Sequence, residues 1–255
     1  MDNTKIEWAD ATWNPVTGCL HGCEYCYARR IAERFKGISG TGRNHDLAEP
    51  IRDAWRNCET REVETGKIEP YPYAFDPTMH RYRLDIPQRW TKPRTIFVCS
   101  MADLFGEWVP TRWIIDVLDA CAAAPQHRYL FLTKNPVRYL ELDALALLPH
   151  GGGLWYGTTA EKGLAARNGQ LAPARTFVSI EPIQGPVRIG RRTNRPDWVI
   201  VGAETGNRKG KVTPRREWID SITEQCDALG VPVLMKDSLI PIVEAENMRR
   251  EFPWE

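Results

Sequence analysis

The chain has 255 residues, of which 42% are hydrophobic and 26% are charged, with 34 basic against 33 acidic side chains. This balance is typical of a globular protein and argues against disorder, which needs low hydrophobicity and a high net charge. No apolar run reaches the roughly 18 residues that span a bilayer, and residues 1–10 lack a signal-peptide core. We therefore expect a single cytoplasmic domain over residues 1–255, without membrane contact.

The first motif is a loop that holds three of the seven cysteines, namely Cys19, Cys23 and Cys26. It follows a short apolar run at 13–16 and precedes an expected helix at 28–35. An odd number of cysteines without an export signal does not fit a disulfide framework, whereas three close thiolates can converge on one metal centre. A structural zinc would need a fourth ligand, either His21 or the remote His80. An iron–sulfur cluster held by three cysteines would instead leave one iron open.

The next segment, residues 36–92, is rich in glycine, proline, tyrosine and charge, with one expected helix at 51–63. Polar segments of this length are functional or disordered. The aromatic content of this one predicts an insertion, placed after the first βα unit, that folds against the rest of the protein. The aromatic residues and the histidine that it carries are Tyr71, Tyr73, Phe75, His80, Tyr82 and Trp90.

From residue 95 onward, short apolar runs alternate with segments of helical period. The expected strands are 95–99, 129–132, 154–156, 176–180, 198–201 and 231–235, and the expected helices are 113–121, 136–148 and 218–229. The strand runs lack strict alternation, as expected for parallel strands that are covered on both faces. Repeated βα units of this kind form an α/β barrel or a doubly wound sheet.

Polar side chains follow the expected strands at their carboxyl ends, where ligands bind in α/β barrels and open α/β sheets. They are Ser100, Asp103, Lys134, Thr158, Glu161, Ser179, Glu181, Glu204 and Lys236. We expect many of them to form the wall of one active site. Because Ser, Thr and Asp also favour helix caps and turns, others will serve those roles instead.

A basic stretch lies at 186–216, where nine basic residues face two acidic ones. Its net charge of +7 leaves −6 for the remainder of the chain, whose total is +1. A local positive field on an acidic body suits a phosphate-bearing partner such as a nucleotide or a nucleic acid. The alternative is a solvated, arginine-rich loop.

The loop spacing Cys-x3-Cys-x-aromatic-Cys, with Tyr25 at the aromatic position, resembles the cluster loop of the radical S-adenosylmethionine superfamily. A second likeness rests on the stretches WNPVTG at 13–18, FDPTMHRYRL at 75–84, FVCSMADLF at 97–105, LTK at 132–134, SIEP at 179–182 and VIVGAE at 199–204. Over nearly its whole length, the chain resembles a three-cysteine-motif family associated with phages and bacteria, whose reaction is unknown; spore photoproduct lyase-like enzymes are a functional analogy.

The resemblance implies a partial (β/α)6 TIM-like barrel in which the three cysteines hold a [4Fe–4S] cluster. The open iron would bind S-adenosylmethionine, and an external flavodoxin- or ferredoxin-type protein would supply one electron. Reductive cleavage would release a 5′-deoxyadenosyl radical that abstracts a substrate hydrogen. The cofactor brings the radical chemistry, while the protein orients it and excludes water.

The resemblance also implies roles by position. Asp103, within the turn that begins at Ser100, would accept from the methionyl amine, unless it caps a helix. Tyr27 would pack on the adenine or else in the core. The remaining expected contacts to the cofactor or substrate come from Thr158, Ser179, Glu181 and Glu204, and the candidate catalytic residues are Lys134, Lys236 and His80.

Two alternatives of a different class remain open from the residues alone. One is a non-catalytic nucleic-acid-binding module that a zinc site of three cysteines and a histidine supports, with aromatic side chains stacking on bases. The other keeps the iron–sulfur cluster but uses it only for electron transfer or redox sensing.

Overall fold

A computed structural model describes residues 4–36, 47–51, 69–165, 171, 174–190 and 195–255. Its strands are β1 (Ala11–Trp13), β2 (Val16–Thr17), β3 (Ala48–Pro50), β4 (Thr78–His80), β5 (Thr95–Val98), β6 (Arg128–Thr133), β7 (Leu154–Thr159), β8 (Gly163–Leu164), β9 (Arg175–Ile180), β10 (Val187–Arg188), β11 (Trp198–Val201) and β12 (Val233–Met235). Its α-helices are α1 (Tyr27–Arg34), α2 (Thr111–Ala122), α3 (Val137–Ala144), α4 (Arg216–Leu229) and α5 (Ile240–Val243). Short 3-10 turns lie at Arg81–Arg83, Pro87–Arg89, Asp237–Leu239 and Ala245–Asn247.

The fold is mixed α/β around a seven-stranded sheet in the order β1-β5-β6-β7-β9-β11-β12. The pairs β1–β5, β7–β9, β9–β11 and β11–β12 are parallel. All six strands expected after residue 95 are therefore confirmed, and β1 adds a seventh that the sequence showed only as an apolar run at 13–16. No helix in the described part of the chain is long and apolar enough to cross a membrane.

Two compact units divide the chain, at residues 1–129 and 130–255. The first contains a small antiparallel sheet, β2-β4-β3, which pairs the strand before the three cysteines with part of the 36–92 segment. The expected helix at 51–63 lies outside the described residues, apart from Ile51. The single domain expected from the sequence stays a prediction.

In the second unit, a continuous apolar core lies between β9, β11, β12 and helix α4. Helix α4 buries Ile219, Ile222 and Cys226, the stripe that its sequence period predicts. It ends at Gly230, whose φ of +62° allows the reversed turn that satisfies the last carbonyls.

Helix α3 ends at Ala144, four residues before the expected end at 148. The amide of Leu147 donates to Leu142 and that of Ala146 donates to Asp143, while Ala146 adopts a φ of +56°. This is the same capping arrangement as at Gly230, but it uses an alanine. Because alanine gives no local signal for a left-handed turn, the sequence predicted too long a helix.

Candidate active site

The three-cysteine loop (19–26) connects β2 to α1 in the first unit. Its entry is fixed by two backbone contacts: the amide of Gly18 donates to Met101 at 2.9 Å, and that of Cys19 donates to Phe75 at 3.3 Å. Gly18 adopts a φ of +86°, and a Cβ there would lie 2.6 Å from the Phe75 carbonyl oxygen and closer still to Asp76. Only glycine fits this position without moving backbone.

The sulfurs of the loop lie in a partly apolar environment. Cys19 and Cys26 pack against the buried cluster of Ala28, Ala32, Phe75 and Met101. Sγ of Cys26 also caps α1, where it accepts from the amide of Arg29 at 3.3 Å. All three loop cysteines are half-buried.

The pKa of the Cys19 thiol is raised to about 12, mainly by burial and to a smaller extent by the charges of Asp103, Cys23 and Cys26, while a hydrogen bond from the backbone of His21 opposes the rise. Within the described ranges, no three His, Cys, Asp or Glu side chains are arranged to hold a metal ion. As a donor set, three thiols on one short loop fit a soft metal, whose binding would displace their protons.

A buried contact ties the loop to the turn after β5. Nε2 of His21 donates to Oδ2 of Asp103 at 2.7 Å, and Asp103 is only 5% exposed. The other carboxylate oxygen of Asp103 accepts from the amide of Phe105 at 3.1 Å. Asp103 therefore holds the loop. It does not cap a helix, because the next helix, α2, starts only at Thr111. The expected contact to a methionyl amine stays a prediction.

Trp108 packs against His21 beside this contact. Its ring meets His21 edge-on, with the ring centroids 4.8 Å apart. Its indole Nε1 is buried and has no hydrogen-bond partner among the described residues. An unsatisfied buried donor costs about 1–3 kcal/mol, a cost that an acceptor on a bound ligand could relieve.

Replacing Asp103 by alanine is expected to lower the free energy of unfolding by about 1–3 kcal/mol, because it leaves His21 and the Phe105 amide without their acceptor. Urea unfolding of the full chain measures the change. The control is Asp85→Ala, which removes an exposed ion pair with Arg89 and is expected to cost under about 1 kcal/mol. Equal losses in the two variants would contradict the role given to Asp103.

The turn after β5 is held by Asn14, a residue that the sequence did not single out as functional. Oδ1 of Asn14 accepts from the amide of Met101 at 2.9 Å and from the hydroxyl of Ser100 at 3.2 Å. The hydroxyl of Tyr27, at the start of α1, donates to the carbonyl of Ser100 at 2.7 Å. Tyr25 is half-buried in the loop. Tyr27 is 47% exposed, so the alternative expectation that it packs in the core is wrong. The cofactor contacts expected of Ser100, Tyr25 and Tyr27 stay predictions.

His80 lies on β4 and is fully buried, at 0% exposed. Its Nε2 is hydrogen-bonded to the hydroxyl of Thr17 at 2.8 Å, and its Nδ1 to that of Tyr82 at 3.1 Å. Burial lowers the pKa of His80 well below its usual value, followed in size by the charge of Arg83. This placement favours holding β2, and with it the loop entry, over direct proton transfer to a substrate.

His80 is expected to make stability depend on acid. Its folded-state pKa is lowered, so the unfolded chain takes up the proton first as the pH falls below about 6.5. The contribution of His80 to the free energy of unfolding is therefore fully present above about pH 6.5. As the pH falls further, this contribution decreases by up to about 1.4 kcal/mol per pH unit. We expect His80→Gln to have a smaller drop between pH 7 and 5 than the wild type in urea unfolding. An unchanged drop would contradict this assignment. The control is His150→Gln, which replaces an exposed histidine.

Charged residues in the second unit pair at the carboxyl ends of its strands. Lys134, after β6, forms an ion pair with Glu161, after β7, and Glu161 also accepts from Gln184 at 3.0 Å. Lys236, after β12, forms an ion pair with Glu181, after β9.

At the same edge of the second unit, little space is left around Gly202, which lies directly after β11. A Cβ at this glycine would lie 3.0 Å from the Lys236 side chain and 3.4 Å from that of Glu181. Glu204 is 6% exposed at its side chain and accepts from Arg208 at 2.7 Å and 2.8 Å. Lys134, Glu181, Glu204 and Lys236 are thus all engaged in ion pairs in this unit. Their expected place in the wall of one active site stays a prediction.

Thr158 is placed differently from expectation, whereas Ser179 lies within β9 near its expected end. Strand β7 continues to Thr159, three residues beyond its expected end, so Thr158 lies within the ladder opposite Val178. Gly157 allows this extension because the ring of Phe177 fills the space where a Cβ would be. Thr158 is 0% exposed and Ser179 is 1% exposed. Their roles as cofactor contacts stay predictions.

Most described cations of the basic stretch (186–216) already have partners. Arg208 pairs with Glu204, Arg215 with Glu217 and Arg216 with Asp220. Arg195 and Lys211 donate to backbone carbonyls. Arg191 and Arg192 lie outside the described residues. Internal pairing therefore leaves fewer cations for a polyanion than the sequence suggested.

Comparison with known proteins gives one match, a family model described as "Protein of unknown function (DUF5131)", which aligns with residues 3–239. The chain belongs to the DUF5131 family. The family match includes the three-cysteine loop and all the strand-end charges described above, and it ends before the last sixteen residues. No curated protein and no solved structure matches the chain significantly.

Proposed function

We propose that this DUF5131 protein is a radical S-adenosylmethionine enzyme in which Cys19, Cys23 and Cys26 hold a [4Fe–4S] cluster. The observation that carries the proposal is the placement of three half-buried cysteines on one loop whose entry is fixed by backbone contacts. The partial (β/α)6 TIM-like barrel and the insertion over it, which the resemblance implies, belong to this proposal. When bound, the cluster supplies one-electron cleavage of S-adenosylmethionine, which makes a hydrogen-abstracting radical.

The protein's own part is to hold this loop and to limit the access of water. Gly18 and the His21–Asp103 contact fix the loop, and Phe75 and Met101 cover Cys19 and Cys26 on one side. Because the entry of the loop is already fixed, only the side chains of the three cysteines would have to turn toward one another to hold a cluster.

Near the loop, the donors and acceptors proposed for S-adenosylmethionine come from the turn after β5 and from the loop itself. Ser100 and Asp103 would serve its methionyl group, while Tyr25 and Tyr27 would contact its adenine or ribose. Trp108 offers the buried indole N–H that has no partner in the described part of the chain.

The histidine contacts disfavour a zinc site of three cysteines and one histidine. Both ring nitrogens of His80 are engaged inside the core, and Nε2 of His21 is held by Asp103. A zinc ion would have to break one of these contacts or take His21 through Nδ1. A cluster that is held by three cysteines, without a histidine, requires no such change.

Metal content tests the proposal against zinc. After anaerobic reconstitution, we expect about four irons and four sulfides per chain. The Cys23→Ala variant should lose most of them, whereas Cys121→Ala, a buried cysteine on α2, should retain them. One zinc per wild-type chain, with no sulfide, would overturn the proposal and favour the binding-module alternative.

In the second unit, we propose that the paired charges at strand ends bind the polar part of a substrate. Lys134 and Lys236 can exchange a carboxylate partner for a substrate carboxylate or phosphate. Glu181 and Glu204 can accept from ribose or substrate hydroxyls. These pairs are partly exposed, so the exchange does not bury an unpaired charge.

A nucleotide or nucleic acid is the proposed substrate class, and the basic stretch (186–216) supports it. If a single-stranded oligonucleotide binds there, its affinity should fall steeply between 50 and 200 mM salt, by about tenfold or more for a few phosphate contacts. Fluorescence anisotropy of a labelled oligonucleotide measures this fall. A flat response would remove nucleic acids from the proposed substrates.

A further inference from the structure

Helix α1 buries its small residues and exposes its large ones. Ala28 and Ala32 face the core, at 6% and 0% exposed, while Tyr27, Ile31 and Phe35, on and just after the helix, are 47%, 37% and 52% exposed. A surface helix of a globular protein normally turns its large apolar side chains inward. Exposed apolar groups spaced along one helix face indicate a surface that another molecule covers.

The apolar face continues into the three-cysteine loop. Leu20, between the first two loop cysteines, is 54% exposed. Because Cys26 caps α1, the helix begins directly at the proposed metal ligands. The exposed face of α1 is defined by Leu20, Arg30, Ile31, Arg34 and Phe35. Counted from Tyr27, its helical members fall at offsets 3, 4 and 7 and so lie on one side, and Phe35 follows directly after the helix.

This face is also basic. Residues 27–36 contain four basic side chains and one acidic one. Glu33 pairs with Lys36, whereas Arg30 and Arg34 form no ion pair within the described part of the chain. The guanidinium of Arg34 lies over the ring of Phe35, 5.3 Å from its centroid. Apolar side chains between uncompensated arginines suit an acidic protein partner.

We propose that the exposed face of α1 is the docking surface for an acidic one-electron carrier protein of the ferredoxin type. This inference rests on the proposed function, because such a carrier has a use only if the loop holds a redox cluster. One electron passes in the complex: the carrier is oxidised by one electron and the cluster is reduced by one, with no bond or proton change. Transient redox complexes use small interfaces, under about 1,200 Å² in total, which one helix and a loop can provide.

Other occupants fit this face less well. Phe35 is the one ring of this face, and the guanidinium of Arg34 already lies over it. Because Leu20 and Ile31 offer no ring for base stacking, the face fits single-stranded nucleic acid poorly. A second copy of the chain would bring the same unpaired arginines together in a symmetric contact, and like charges across an interface are repulsive.

The test compares two double variants that make the same change in charge. Arg30→Glu/Arg34→Glu reverses the face, and Arg89→Glu/Lys92→Glu reverses two exposed cations elsewhere in the first unit. Ile31→Ser tests the apolar part. Binding of a plant-type ferredoxin to the reconstituted full-length protein is measured by biolayer interferometry, and 5′-deoxyadenosine formation is measured with either reduced ferredoxin or dithionite as the electron source.

We expect Arg30→Glu/Arg34→Glu to weaken ferredoxin binding about tenfold or more and Ile31→Ser to weaken it severalfold, while the Arg89/Lys92 control binds as the wild type does. Ferredoxin-driven turnover should fall in parallel, and dithionite-driven turnover should be unchanged. Equal binding by the α1 variants and the wild type would overturn the docking surface, as would ferredoxin-independent dimerisation through α1 or oligonucleotide binding there. If the wild type forms no 5′-deoxyadenosine with dithionite, this result would instead overturn the proposed function.

Discussion

Gly18→Ala is expected to disorganise the three-cysteine loop and to be the most damaging small substitution near it. The added Cβ meets the backbone carbonyls of Phe75 and Asp76, and an alanine at a φ of +86° is strained in addition. Because both neighbours are backbone, relief requires the loop entry to move. We expect the free energy of unfolding to fall by roughly 2–4 kcal/mol and iron incorporation to be largely lost.

Gly22→Ala is the matched control, since Gly22 lies in the same loop with a φ of +69° but has nothing within 4 Å of the position of a Cβ. It carries the conformational cost alone, about 1 kcal/mol, and should still take up iron. Urea unfolding and iron analysis of both variants measure the difference. Equal effects would show that conformational strain, and not the close approach of Gly18 to the carbonyls, governs the loop.

Trp198→Ala is expected to cause the largest loss of stability in the second unit, about 3–5 kcal/mol. Trp198 begins β11, is fully buried, and lies against Phe177, Phe252 and Trp254 with ring centroids 6.0, 5.7 and 5.1 Å away. Its indole Nε1 donates to the carbonyl of Glu251 at 2.9 Å. The substitution thus opens a cavity and releases the C-terminal segment together.

Trp198→Phe should cost less, because it keeps a ring and loses mainly the hydrogen bond and some volume. Trp218→Ala, on the half-buried side of α4, should cost less again. The free energy of unfolding in urea ranks the three variants. If Trp218→Ala lowered the free energy of unfolding as much as Trp198→Ala, this would contradict the view that the packing of Trp198 against the C-terminal aromatic residues stabilises β11.

The parallel strands were predictable because a strand that is covered on both faces needs a continuous apolar run. The runs that became β5, β6, β7, β9, β11 and β12 all have this character. The small sheet was not predictable, since β2, β3 and β4 have two or three residues each and pair across an insertion. Nothing local marks such short strands.

The candidate site was predictable in its residue types but not in its contacts. The cysteine spacing identified the loop, and strand ends identified Asp103, Lys134, Glu161, Glu181 and Lys236. Local sequence could not show that Asp103 holds His21, because that contact spans 82 residues. It also could not show that Thr158 lies inside a strand, which depends on the fit of Phe177 against Gly157.

The exposed face of α1 illustrates the same limit in a helix. The period of 28–35 predicted the helix correctly, but period alone does not say which of two faces meets the core. The core side is decided by space, since only the small Ala28 and Ala32 fit against Phe75 and Met101. The large side chains are left outside as a result.

The central claim is that the three-cysteine loop supports reductive cleavage of S-adenosylmethionine. The most direct measurement is the chromatographic yield of 5′-deoxyadenosine from anaerobically reconstituted protein with S-adenosylmethionine and dithionite. We expect product from the wild type and from Cys121→Ala, and none above background from Cys23→Ala. A wild-type protein that carries a full cluster but gives no product, with or without an added oligonucleotide, would contradict the claim and favour a redox sensor.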